Sequence, residues 1–197
     1  FEAKEAALLP IDPLLAVRAV LSRPLVPEQT QFEFCAIAPL AGKLHGQFEL
    51  GFKVRSVQHP GTSVSYEELA PVAAECNQIA TLDRLLLQHS LEVREEQLRR
   101  GRQLRLFVPQ AVSSAMEPEF AWWLERQLKS RHLSGTGLTI ELACSTLIDG
   151  GERAREQVKA LHQYGVRFCL VDYGRDWAAV HALKNLNVDF VRLAPSL

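Results

Sequence analysis

From about residue 104 the chain alternates strand-like and helix-like stretches to its last residue. QLRLFVPQ, GLTIELACS, VRFCLVDYG and VDFVRLAPSL read as strands, short and largely apolar. Between them lie EPEFAWWLERQLKSRHL, GERAREQVKALHQYG and DWAAVHALKNLN, which carry apolar residues at helical spacing. Strands joined by crossovers of that length run parallel, with the helices packed outside the sheet. The fold class is therefore α/β. A (β/α) barrel and an open doubly wound sheet both satisfy the pattern.

The first half supplies the elements that precede this alternation. PLLAVRAVLSR has helical spacing, FEFCAIAPL is a short apolar strand, and QFELGFKVRSV places Phe48, Leu50, Phe52 and Val54 on one face. The last two segments are expected to pair as a hairpin. QHPGTSVS reads as a loop. SYEELAPVAAE starts a helix with Ser65 as cap and Glu68 three residues on, a capping-box spacing. ATLDRLLLQHSLEVREEQLRRG is a long amphipathic helix closed by basic residues and Gly101. The basic run REEQLRRGRQLR is expected to be a solvated helix end. In FAWWLERQL, Trp122 and Trp123 face about 100° apart on a helix. Both cannot point to the centre of one core face; the first expectation is that both are buried between helix and barrel, and the alternative is that one is rim-exposed and available to a partner.

The 197 residues are enough for one domain with a sizeable core, and 47% hydrophobic content excludes a disordered chain. A net charge of -1 gives no general drive towards nucleic acid or an anionic membrane. No apolar run approaches the roughly 20 residues that span a bilayer. GxGxxG after a strand and GxxxxGK[ST] are both absent, which argues against nucleotide binding by those motifs. Cys35, Cys76, Cys144 and Cys169 form no CxxC pair, so no zinc pattern exists. They are expected to be buried reduced thiols, suited to the cytoplasm. The opening FEAKEAALLPIDP has no signal pattern and no initiator Met, as expected of a piece of a longer chain.

In either architecture functional groups gather at the C-terminal ends of the strands. The polar residues there, or along the strands, are Glu49, Lys53, Glu141, Asp172 and Arg192. Glu49 and Lys53 also read as solvated strand residues, Asp172 as a turn cap and Arg192 as a rim cation. Glu141 sits inside LTIELA with apolar residues on both sides. A carboxylate in a covered central strand needs a partner.

The order and spacing of these stretches resemble an EAL domain, the family of bacterial cyclic di-GMP phosphodiesterases and their inactive relatives. LTIELACSTLIDG resembles the family's LEITES stretch. VRFCLVDYGRDWAAVHALKNLNVDFVRLAPSL resembles its DDFGTGYSSL and LKID stretches. HGQFELGFKVR stands where the family has GYEALLRW, and SYEELAPVAAECNQIATLDRLLLQHSLE resembles its helical region. The resemblance runs from residue 14 to 197 and leaves 1–13 as a linker from an upstream region. It implies a TIM-like (β/α) barrel with an antiparallel first strand, incomplete at its C-terminal end.

Active EAL enzymes hold two divalent cations that activate water against a phosphodiester. The resemblance places Glu49, Glu141 and Asp172 on three of the metal-site positions. Phe107 falls on the family's metal-site Asn, Val171 on the first Asp of DDFG, Arg192 on the Lys of LKID and Ala194 on its Asp. Cys35 and Lys53 fall on the Gln and Arg that contact the nucleotide. Lys53, Phe107 and Arg192 remain as candidate ligand contacts: a phosphate charge, a stacking surface and a cation. The family pattern points Lys53 and Arg192 towards one pocket, which implies them as candidate partners of Glu141 where no ion binds. The departures imply a degenerate, catalytically inactive domain with no cofactor and no metal. Its expected role is that of a protein-interaction module, bound to another signalling protein or to a second copy of itself. A cyclic di-GMP receptor is the alternative and an active phosphodiesterase the third reading. Nucleic acid and direct membrane insertion are not implied.

Overall fold

The computed structural model describes residues 13–22, 29–38, 40–41, 46–56, 61–143, 151–174, 183 and 186–195. The chain divides into two compact units, Phe1–Glu33 with Phe52–Gln78, and Phe34–Gly51 with Ile79–Leu197. Strands β1 (Thr30–Ala36) and β2 (Gln47–Arg55) each run from one unit into the other.

In the smaller unit β2 ends against β3 (Ser63–Ser65), antiparallel, with Val54 opposite Val64. The stretch QHPGTSVS was expected to be a loop; its last three residues instead form this strand. Val64 is buried, and a three-residue strand is too short for alternation to reveal it in sequence. Ser65 then caps α2 (Tyr66–Glu75). Its hydroxyl accepts the Glu68 N–H at 3.4 Å, and the Glu68 carboxylate accepts the Ser65 N–H at 2.8 Å. This is the capping box expected from the spacing. Leu69, Val72 and Ala73 turn inward from α2, which packs against α1 (Pro13–Leu21). Phe32 and Phe52 meet at 5.2 Å.

The larger unit contains α3 (Ile79–Arg99), β4 (Arg105–Pro109), α4 (Val112–Ala115), α5 (Phe120–Ser130), β5 (Leu138–Ala143), α6 (Gly151–His162), β6 (Arg167–Tyr173) and β7 (Phe190–Leu193). Strand order there is β1-β2-β4-β5-β6-β7. The pairs β2–β4, β4–β5, β5–β6 and β6–β7 are parallel, as the alternation of strand and helix requires. Central β5 is covered on both faces: Leu138, Ile140 and Leu142 are buried on one side, Thr139 and Glu141 on the other. The sheet is curved. Phe107 on β4 meets Phe190 on β7 at 5.2 Å, although β5 and β6 lie between those strands. Among the described residues the sheet does not close, and β1 and β7 end the order.

Helix α3 turns Leu82, Leu86, Leu87 and Leu91 inward, and Asp83 with them. The Asp83 carboxylate accepts the Ala111 N–H at 2.9 Å, which ties α3 to the segment after β4. The cysteine expectation needs correction. Cys169 is buried, but Cys35 and Cys76 are exposed, because β1 is an edge strand and Cys76 ends α2. Cys144 and most of the expected helix DWAAVHALKNLN lie outside the described residues.

Candidate functional site

Parallel strands aim alternate side chains to the inside of the curved sheet. On β5 those are Thr139 and Glu141, and the register sets Glu141 beside Cys169 on β6. Glu49 on β2 is in register with Phe107 on β4. Curvature then brings β7 across to them. The Arg192 guanidinium donates to the Glu49 carboxylate through Nη1 and lies 3.2 Å from Glu141 Oε1. One cation thus joins two carboxylates from strands that are not its neighbours.

Glu141 is only 4% exposed, whereas Glu49 and Arg192 are half-exposed. A buried carboxylate of this kind needs a charge partner to stay ionised. Of the two cations proposed from sequence, Arg192 fills the role. Lys53 belongs to the smaller unit and pairs with Glu33 at 3.0 Å. Burial opposes the charge on Arg192, but Glu141 and Glu49 outweigh it and raise its pKa above the ordinary arginine value. Cys169 shows the same field with the opposite sign. Burial first, then the negative charges of Glu141 and Glu49, pushes its thiol up to about 12 against a partial counter-effect of Arg192.

The other sequence candidates are distributed differently. Phe107 is 5% exposed and packs edge-on against Phe190. Val171 pairs in register with Ala143, and buried Ala194 donates its N–H to the Tyr173 carbonyl at 2.9 Å. Asp172 has φ of 59°, and the β6–β7 register shifts between Leu170 and Tyr173. Among the described residues no group of three or more His, Cys, Asp or Glu could hold a metal ion. Glu49, Glu141 and Asp172 thus form no such group among the described residues. The irregularity interrupts strand alternation at Asp172, and Arg192 stands between the remaining two acids.

The arrangement has clear chemical limits. A guanidinium stays protonated, so Arg192 cannot serve as a base. A cation approaching the Glu49 and Glu141 oxygens would have to displace it. Sequence reasoning missed Cys169 as a neighbour of the acid cluster. The available signal was strand parity, since Cys169 and Val171 share one face of β6. The expectation that both adjacent tryptophans are buried is corrected, because their helical spacing turns them to different faces. Trp122 is 57% exposed beneath Arg126, and Trp123 stacks on Phe120.

Comparison with known proteins places this geometry. A 76.5 kDa protein of Thiocystis violacea is 22% identical over 142 residues, covering 72% of this chain and 20% of that protein. The cyclic di-GMP phosphodiesterase PdeF of Escherichia coli K12 is 21% identical over 130 residues, 66% of this chain and 17% of that protein. The chain thus spans about a fifth of the length of these relatives. The FimX EAL domain of Pseudomonas aeruginosa bound to c-di-GMP superposes with a TM-score of 0.78 at 21% identity. That match covers 94% of this chain and 72% of the other. The model of the EAL domain family matches residues 45–197. That model covers more than half of the chain, and the chain belongs to the EAL domain family.

Proposed function

We propose that this EAL domain is catalytically inactive and acts as a regulatory protein-interaction module in cyclic di-GMP signalling. The carrying observation is Arg192, whose guanidinium joins Glu49 and Glu141 where an EAL enzyme would need those oxygens for cations. Phe107, Val171 and Ala194 stand at further positions where polar ligands would be required. The residues present do not fit a two-cation centre, so the chain lacks the means to activate a water for hydrolysis in that way. A domain that keeps its caps, core and parallel sheet while its interior is neutralised has its surface left for function. Trp122 on α5 supplies an exposed aromatic side chain of the kind that anchors interfaces.

Incubation with cyclic di-GMP and Mg²⁺ or Mn²⁺, followed by chromatography for the linear product, is expected to show no turnover. Turnover that disappears in Glu49→Ala would overturn the reading. The second reading, a receptor that binds without hydrolysis, is favoured by the likeness to a FimX EAL domain bound to c-di-GMP. Arg192 would supply positive charge to such a site. Calorimetric titration separates the two. A dissociation constant below about 1 µM, roughly -8 kcal/mol, establishes the receptor. Weaker binding, together with self-association or partner binding in analytical ultracentrifugation, supports the interaction module.

A further inference from the structure

The basic run REEQLRRGRQLR, which spans Arg94 to Arg105, is not a solvated helix end throughout. Arg94, Arg102 and Arg105 line one cavity of about 500 Å³. The cavity lies ahead of the first residues of β4 and β5, Arg105 and Leu138, whereas Glu141 is the fourth residue of β5. It is therefore separate from the cluster around Arg192.

Arg94 occupies a position where helical spacing calls for an apolar residue. The buried face of α3 runs Leu87, Ser90, Leu91, Arg94. Arg94 is 8% exposed. Its Nη2 donates to the Ser134 carbonyl at 2.7 Å, while Nε and Nη1 are buried without a hydrogen-bond partner. Gly137 makes this placement feasible. A Cβ there would lie 2.4 Å from Arg94 Nη2 and 2.6 Å from the Leu104 carbonyl. A larger residue would push the guanidinium away.

A buried cation needs a compensating charge. The acids of α3 face other cations: Glu92 and Glu95 pair with Arg131, Glu95 and Glu96 with Arg99, and Glu96 with Arg100. No carboxylate is among the described residues that line the cavity. Arg105 also borders the cavity, but its guanidinium lies 5.7 Å over the Phe190 ring, where Asp189 supports its charge. Exposed Arg102 adds a second charge on the cavity wall. Burial also draws the Arg94 pKa down to about 10, which an anion in the cavity would reverse.

We propose that this cavity binds a tetrahedral oxyanion of the phosphate class, held by Arg94 and Arg102. Arginine forks match such oxyanions geometrically. The inference stands apart from the function proposed for the Glu49–Glu141–Arg192 cluster. The test is calorimetric titration of the whole chain with inorganic phosphate, pyrophosphate and a nucleoside monophosphate, with ionic strength held constant by chloride. Saturable binding is expected, weakened about tenfold or more in Arg102→Gln and lost in Arg94→Gln. Arg155→Gln, an exposed cation of α6, should bind as the wild type does. Equal affinity for all three probes would identify free phosphate as sufficient. Tighter binding of the larger probes would identify a phosphate carried on a bigger molecule. Absence of saturable heat up to about 10 mM of every probe, or unchanged affinity in Arg102→Gln, would overturn the proposal. Because Arg102 is exposed, that variant remains informative even if Arg94→Gln fails to fold.

Discussion

Arg192 sets the charge balance inside the curved sheet. Its two carboxylate partners differ in what its removal would do. Glu49 is half-exposed and can be rehydrated, but Glu141 is buried and would lose the cation 3.2 Å away. Arg192→Ala is therefore expected to lower stability by about 2 kcal/mol in urea unfolding, with the loss arising mainly at Glu141. Cys169 reports the same neighbourhood. A thiol pushed from 9.0 to about 12 holds about a thousandfold less thiolate at neutral pH. In a variant whose other cysteines are serine, Cys169 should react with a thiol reagent much more slowly when folded than when unfolded. The linkage sign follows from the raised value. Between about pH 9 and 12 the folded thiol keeps a proton that the unfolded thiol has lost, so this contribution to stability falls as pH rises. The pH slope of stability in that window should be shallower in Cys169→Ala.

Elements are held together by side chains that satisfy backbone groups. Asp189, just ahead of β7, accepts the Phe168 N–H at 2.9 Å and lies 3.0 Å from His162 Nε2. Its own N–H donates to the Phe168 carbonyl at 3.0 Å. One residue thus joins the end of α6, the start of β6 and the approach to β7. Asp189→Ala should cost about 2 kcal/mol, measured by denaturant midpoint, because it strips a partner from a part-buried N–H. At the other end of the chain Ser65→Ala removes the α2 cap and should cost about 1 kcal/mol. The capping box was legible from Ser65 and Glu68 because a cap is a local contact, three residues wide. β3 was not legible, since three residues are too few for alternation to show and its pairing lies with residues about ten positions earlier.

In the larger unit, protection from exchange should follow coverage. β5 has parallel neighbours on both sides and is buried on both faces, whereas β1 and β7 end the strand order. Phe34 on β1 and Val191 and Leu193 on β7 are exposed, Leu193 to 62%. Native-state hydrogen exchange should therefore find Ile140 and Leu142 amides among the slowest and those of β1 and β7 much faster. Equal protection at β1 and β5 would contradict this ordering.

Alternation of strand and helix determined the parallel sheet, and helical spacing determined α1, α2, α3, α5 and α6, because both are set by neighbours within a few residues. Glu141 was identified as needing a partner by its apolar flanks alone. Which cation answers it was decided only by the curvature of the sheet, which brings Arg192 on β7 to Glu49 on β2 across three intervening strands. Curvature likewise set Phe107 against Phe190. The fate of the basic run was decided the same way. Its composition reads as solvated, yet the packing of α3 turns Arg94 inward while Arg99 and Arg100 stay in water. Charge pairing and burial depend on contacts distant in sequence, and those exist only once the strands have assembled.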